Sequence, residues 1–173
     1  SKLGAESALL ELANHTGVVV RLFRLPNVFG KWSRPNYNSA VSTFCHNIAN
    51  GLPIQINDPT AHIALVYIDD VIRSFMAVMD GTAPGGQFVE IEPTYRTTVG
   101  ALSETIHGFR ASRDTLMTDT VGNGLNRALY STYLSYISPD NFTYEVPKYS
   151  DPRGVFVEML KTPDAGQFSY FTA

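Results

Sequence analysis

Cysteine is nearly absent: the 173-residue chain holds one, Cys45. A single thiol excludes an internal disulfide and leaves too few thiolates for a cysteine-based zinc site. Charge is also sparse, at 17% of residues, with 13 Lys and Arg against 16 Asp and Glu. A net charge of −3 does not fit the basic footprint of a nucleic-acid binder or a polybasic membrane patch. The longest unbroken apolar run, Ile63 to Ile68, is far shorter than the ~20 residues that span a bilayer. No cationic start followed by an apolar stretch reads as a signal peptide. His15, His46, His62 and His107 are scattered without metal-ligand spacing. No G-x-S-x-G nucleophile turn occurs, and no G-x-G-x-x-G phosphate turn follows a strand. Gly122-Asn123-Gly124 comes nearest, but Arg127 occupies the third glycine position, so this reads as a helix-start turn. These absences lead us to expect a reducing, cytoplasmic setting, with no nucleic acid and no membrane partner.

Apolar residues make up 44% of the chain, enough for a buried core. Residues 1–16 carry an apolar helical face (Leu3, Leu9, Leu10, Leu12, Ala13), and Gly17 is placed to stop the helix. Val18–Leu25 is apolar on both alternations apart from Arg21 and Arg24, which suits a strand covered on both faces. Pro26-Asn27 should end it, with residues 27–37 as a loop. A helix is expected over about 39–50, with Val41, Phe44, Cys45 and Ile48 on one face. Brief strands are expected at 53–56, 63–68 and 88–91. Asp69-Asp70 stands where a helix cap belongs, and Thr98 caps a helix with Val99, Leu102, Ile106 and Phe109 on its face. A polar stretch follows over 110–123. Then comes a tyrosine-rich helix over about 125–137, whose tyrosines at 130, 133 and 136 are expected to serve packing.

Character changes at Pro139. Val155–Thr162 and Gln167–Thr172 are strand-forming runs around Pro163-Asp164-Ala165-Gly166, which signals a hairpin. The expected fold is α/β: the C-terminal half of a doubly wound parallel-sheet domain over 1–138, then a linker and the first strands of a β unit over 139–173. Such a sheet would lack its earlier strands. The sequence, which begins at Ser1 rather than Met, is therefore expected to be an internal part of a larger protein. Alone, it should expose apolar edges.

Two motifs carry a resemblance. Arg24-Leu25-Pro26-Asn27-Val28-Phe29-Gly30, following the helix that starts at Ser1-Lys2-Leu3, resembles the stretch after the catalytic tyrosine in extended short-chain dehydrogenase/reductases. Val66-Tyr67-Ile68-Asp69-Asp70-Val71 resembles the Y-V-D-D-V element of the same family. The segments G-K-W-S-R-P-N-Y-N-S (30–39), L-Y-S-T-Y-L-S-Y (129–136) and D-P-R-G-V-F-V-E (151–158) are similar to the bifunctional capsular-polysaccharide reductases. Those enzymes join a Rossmann-like reductase domain to a C-terminal cupin (jelly-roll) domain.

The resemblance implies an NADPH- or NADH-dependent oxidoreductase that reduces a 4-keto UDP-N-acetyl-6-deoxyhexose for capsule or O-antigen sugars and works as a homodimer. It implies that Lys2 is the lysine of Y-x-x-x-K, with the tyrosine four positions earlier, outside this sequence. Lys2, Pro26, Asn27 and Val28 would then meet the cofactor, and Asn27, Asn36, Tyr37 and Asn38 the UDP-sugar. Zinc is expected only in the remainder of the cupin, so residues 1–173 alone should be inactive. In relatives of this fold an arginine before the Asp-Asp pair often meets the phosphates; here His62 and Ile63 stand there. Asp69 and Asp70 read as caps rather than acids, and Arg153-Gly154 as strand geometry, with Glu158 exposed or paired across strands. Two alternatives stay open: a sister nucleotide-sugar epimerase or dehydratase, and a non-catalytic nucleotide-sugar-binding module.

Overall fold

The computed structural model describes residues 1–83 and 85–172. Helix α1 (Lys2–Thr16) starts at Ser1, whose hydroxyl accepts the Gly4 N–H. It ends at Gly17, whose φ of 71° suits a residue without Cβ. No residue of α1 is buried: Leu10 and Ala13 are half-buried, and Leu3, Leu9 and Leu12 stand exposed.

The expected strand over 18–25 shrinks to β1 (Leu22–Phe23), which pairs in parallel with β4 (Phe88–Val89). Val18 and Val19, with no neighbouring strand, stand 56% and 73% exposed. Propensity alone does not hold an extended run without a partner. Past Pro26 the chain changes sheets. Residues 27–29, expected in a loop, form β2 (Asn27–Phe29), parallel to β3 (His62–Tyr67). On its other side β3 pairs antiparallel with β5 (Tyr95–Thr98), a strand that no sequence pattern signals. Residues 53–56 are not a strand: Ile54 and Ile56 pack on the core from irregular chain.

Three helices cover one face of the β2-β3-β5 sheet: α2 (Ala40–Ala49), α4 (Val99–Thr115) and α5 (Gly124–Leu134). Ser39 and Thr98 cap the first two through their hydroxyls, and Asn123 stands at the start of α5. The side chains at 41, 44, 45, 48, 102, 106, 109, 129 and 133 interlock beneath Phe29, Leu65 and Tyr67. Cys45 lies in this layer, fully buried, and burial pushes its thiol pKa well up, which removes it as a nucleophile. The opposite face carries a smaller cluster of Val66, Val71 and Ile91.

Helix α3 (Ile68–Met79) starts two to three residues earlier than a cap at Asp69-Asp70 would allow. Tyr67 holds the cap position, so Asp69 and Asp70 are first-turn residues and not caps. There they face the positive end of the helix dipole. The polar stretch expected from 110 begins as helix, because α4 runs on to Thr115.

Beyond the short helix α6 (Pro139–Phe142), strands β6 (Lys148–Asp151), β7 (Gly154–Thr162) and β8 (Gly166–Thr172) form an antiparallel sheet with the expected hairpin and one additional strand. A backbone seam joins it to α4. Leu116, at φ 58°, accepts the Lys161 N–H (2.7 Å), and the Thr118 N–H donates to the Lys161 carbonyl (2.9 Å). This stretch of β7 lies beyond the part that β6 pairs.

Candidate functional site

Lys2 and Glu6 are four residues apart on α1 and therefore share a face. Glu6 accepts from the Arg24 guanidinium at 2.7 Å and 3.2 Å, and the guanidinium also stacks on Phe88 at 4.7 Å. The bond from Arg24 holds the Glu6 carboxyl below the usual carboxylate range. The arginine of R-L-P-N-V-F-G thus fastens the lysine-bearing helix to the strand that leads into Pro26 and Asn27.

Pro26 lies between two parallel pairings, β1 with β4 and β2 with β3. Open α/β sheets bind ligands where strand order changes. At this point Asn27 donates from Nδ2 to the Ala64 carbonyl at 3.0 Å, which clips β2 to β3, while Val28 packs in the small cluster. Gly30 has a steric reason. A Cβ there would stand 2.3 Å from Cγ2 of Ile68, so the N-V-F-G glycine is the seat on which V-Y-I-D-D-V packs.

Asn36, Tyr37 and Asn38 lead into α2. Asn36 takes φ 54°, a conformation asparagine tolerates better than most residues, and its N–H donates to Thr43 Oγ1 at 3.0 Å. Tyr37 is 70% exposed with the Arg34 guanidinium 5.4 Å from its ring, and Asn38 precedes the Ser39 cap. The structure therefore places the expected residues in three groups: Lys2 on α1, Pro26 to Val28 at the sheet change, and Asn36 to Asn38 at the α2 start. The first two are joined through Glu6 and Arg24. No hydrogen bond among the described residues joins the third group to either.

Sequence reasoning missed a second junction. The Lys31 ammonium sits 3.3 Å from Asp69 Oδ2 and is also held toward Tyr67. The Tyr67 hydroxyl first, and Asp69 second, raise its pKa above that of an ordinary lysine. Asp70 is 3% exposed: Oδ1 meets Arg73 at 2.6 Å, and Oδ2 has no partner among the described residues. No signal in the sequence could have paired residues 6 with 24 or 31 with 69, since contacts at that separation are created by the sheet.

The groups present could meet the ribose hydroxyls of a dinucleotide: an exposed lysine on α1, a helix that Glu6 and Arg24 tie to the segment before the sheet change. A phosphate-cradling glycine turn is not among them. Among the described residues no three His, Cys, Asp or Glu side chains group as a metal cage, and no helix is long and apolar enough to cross a membrane.

Comparison with known proteins identifies the family. Residues 1–91 match the NAD dependent epimerase/dehydratase family. The UDP-2-acetamido-2,6-beta-L-arabino-hexul-4-ose reductase of Pseudomonas aeruginosa is 61% identical over all 173 residues, which cover 46% of its length. Among solved structures, the capsular polysaccharide assembling protein CapF of Staphylococcus aureus superposes with a TM-score of 0.92 at 38% identity, over 98% of this chain and 47% of that one. The UDP-glucose 4-epimerase of Thermotoga maritima, at 18% identity and a TM-score of 0.64 over 78% of this chain and 51% of that one, shares the fold. The chain spans about half the length of these relatives.

Proposed function

Because the chain belongs to the NAD dependent epimerase/dehydratase family, we propose that it is the portion of a UDP-sugar reductase that carries the cofactor lysine and the substrate loop, acting on a 4-keto UDP-N-acetyl-6-deoxyhexose. The observation that carries this reading is the bridge from α1 through Glu6 and Arg24 to the Pro26-Asn27 turn. It ties the helix that carries Lys2 to the segment leading into the turn, which supports reading the two as parts of one site for a nicotinamide and a sugar carbonyl.

In this reading a bound NADPH supplies the hydride that reaches the carbonyl carbon. Lys2 bonds the ribose hydroxyls and, as a nearby positive charge, favours the ionised form of the tyrosine expected four positions before it, lowering that phenol's pKa so that it gives its proton to the sugar oxygen. Asn27, its amide held on the Ala64 carbonyl, presents a fixed backbone turn at the reacting end. Asn36, Tyr37 and Asn38 supply amide and aromatic contacts to the UDP-sugar from the start of α2, where backbone N–H groups also favour anions.

The antiparallel sheet over 148–172 is read as the opening of a cupin domain, with residues 1–138 in the reductase domain. Among the described residues no donor groups make a zinc cage. We further read the complete protein as a cytoplasmic homodimer that serves capsular or O-antigen polysaccharide.

The test is turnover. The full-length polypeptide, given NADPH and the 4-keto UDP-N-acetyl-6-deoxyhexose, should consume both and release the 4-hydroxy sugar nucleotide. Failure to turn over while a related epimerase substrate is converted would replace this reading with the sister activity. Failure to bind NADPH at all would favour a non-catalytic module.

A further inference from the structure

The Y-S-T-Y-L-S-Y segment has no part in the chemistry above, yet it touches the loop that the proposed function assigns to substrate. Two backbone groups of the 31–38 loop are held by consecutive residues just beyond α5. The Trp32 N–H donates to Ser135 Oγ at 3.3 Å, and the Tyr136 hydroxyl donates to the Ser33 carbonyl. Ser135 Oγ in turn donates to the Thr132 carbonyl at 2.7 Å, which fixes its rotamer. On its far side Tyr136 is held by α2: its ring meets His46 edge-on at 6.0 Å, and its carbonyl accepts from Asn50 Nδ2. Ser33 is also pinned to α2 through a 2.6 Å bond between its hydroxyl and that of buried Ser42.

These contacts have something to restrain. Trp32 takes φ 61° and Asn36 takes φ 54°, both in the left-handed region. For Trp this conformation is unfavourable and persists only where neighbours over-determine it. The Trp32 side chain is 80% exposed, so its own packing does not supply that restraint. Around Trp32 the restraint comes from its N–H bond to Ser135, the Tyr136 bond to the Ser33 carbonyl and the Ser33–Ser42 hydroxyl pair, while Thr43 holds the Asn36 N–H.

We infer that Tyr136, assisted by Ser135, is a positioning residue for the nucleotide-sugar site, holding the Lys31–Asn38 loop in the conformation that presents Asn36, Tyr37 and Asn38. The inference rests on the proposed function, because it takes the loop to meet substrate. Tyr136 itself touches no substrate. Its hydroxyl acts through the Ser33 carbonyl, and its ring ties the loop to α2 and the end of α5.

The test uses Tyr136→Phe, which removes one hydroxyl and keeps the ring, in the full-length polypeptide, with Asn38→Ala as a companion. For Y136F we expect KM for the UDP-sugar to rise about ten-fold, kcat to stay within about three-fold, and KM for NADPH to be unchanged. That is the pattern of lost substrate binding rather than lost chemistry. Amide exchange at Trp32 and Asn36 should accelerate about ten-fold, while core amides such as Leu65 and Ile106 stay protected. Ser135→Ala should reproduce the exchange effect more weakly.

If N38A raises KM and Y136F does not, the positioning role is wrong while the substrate reading stands. If neither variant moves KM although turnover proceeds, the loop does not meet substrate, and the assignment of 36–38 fails with it. If the polypeptide shows no turnover, amide exchange still decides: unchanged protection at Trp32 in Y136F overturns the inference independently of activity.

Discussion

The Lys31 ammonium lies 3.3 Å from the Asp69 carboxylate and so joins the residue after N-V-F-G to the first turn of α3. The pair is about one-third exposed, with the Lys31 and Asp69 side chains at 31% and 42%, so water and salt screen it. Lys31→Met should lower stability by no more than about 1 kcal/mol in urea unfolding, less at high salt. The pH dependence has a definite sign. The folded pKa of Lys31 is raised, so the pair's contribution is complete below the unfolded lysine value of about 10.4 and fades as pH rises through the folded value. A wild-type minus K31M difference that instead vanished on acidification between neutral pH and pH ~6 would contradict this assignment.

Gly30 should tolerate no side chain. The Cβ of Gly30→Ala would meet Ile68 Cγ2 at 2.3 Å and Ile68 Cβ at 3.1 Å, in a packed layer. A loss of about 1–3 kcal/mol is expected, as for overpacked cores. Ile68→Ala in the same chain should return part of it, since Cγ2 is removed while Cβ remains. Strictly additive effects in the double-mutant cycle would show that the two motifs do not press on each other.

Arg24→Met should release Glu6. The carboxyl now titrates below its ordinary range, so its share of stability is present above the unfolded glutamate value of about 4.3 and is lost as pH falls through the depressed folded value. Carboxyl NMR should show the Glu6 midpoint moving up in R24M, with faster amide exchange in α1, which has no buried residue to hold it. An unmoved midpoint would mean that the helix is fastened by other contacts.

The share of this that the sequence foretold follows contact range. Helix α1 was legible from its apolar periodicity and the Gly17 stop, α2 from the face of Val41, Phe44, Cys45 and Ile48, and α4 from its Thr98 cap and its own face, because each of these signals acts within the helix itself. The β7–β8 hairpin was legible from its turn chemistry. Strand extents were not: Val18–Leu25 reads as one strand, yet only Leu22 and Phe23 meet a partner, while Asn27–Phe29 reads as loop and is made a strand by β3. Asp69 and Asp70 read as caps because carboxylates favour helix starts. Their actual partners, Lys31 and Arg73, depend on the sheet and on the following turn. The candidate residues were found through motif resemblance, whereas Arg24, Lys31 and Tyr136, which bind those motifs to one another, became visible only in three dimensions.

The uncovered apolar surface has a solution consequence. Val18 and Val19, Ile72, Met76 and Met79 on α3, and Phe168 and Phe171 on β8 are all exposed. β8 also presents an edge of seven residues without charge or proline. The isolated 173-residue chain should therefore self-associate with concentration and bind a hydrophobic dye. Sedimentation showing a monodisperse monomer across a wide concentration range would contradict that expectation.

Substitution of Lys2 decides whether this residue belongs to a nicotinamide-dependent carbonyl-reducing site. In the full-length polypeptide, Lys2→Met should reduce NADPH-dependent turnover of the 4-keto UDP-sugar by about 100-fold or more, the scale of lost acid–base catalysis. The fold, judged by circular dichroism and amide exchange at Ile106, should be preserved. Turnover at the wild-type rate in a folded K2M protein would show that this lysine is only a solvated helix start and contradict its place beside the cofactor.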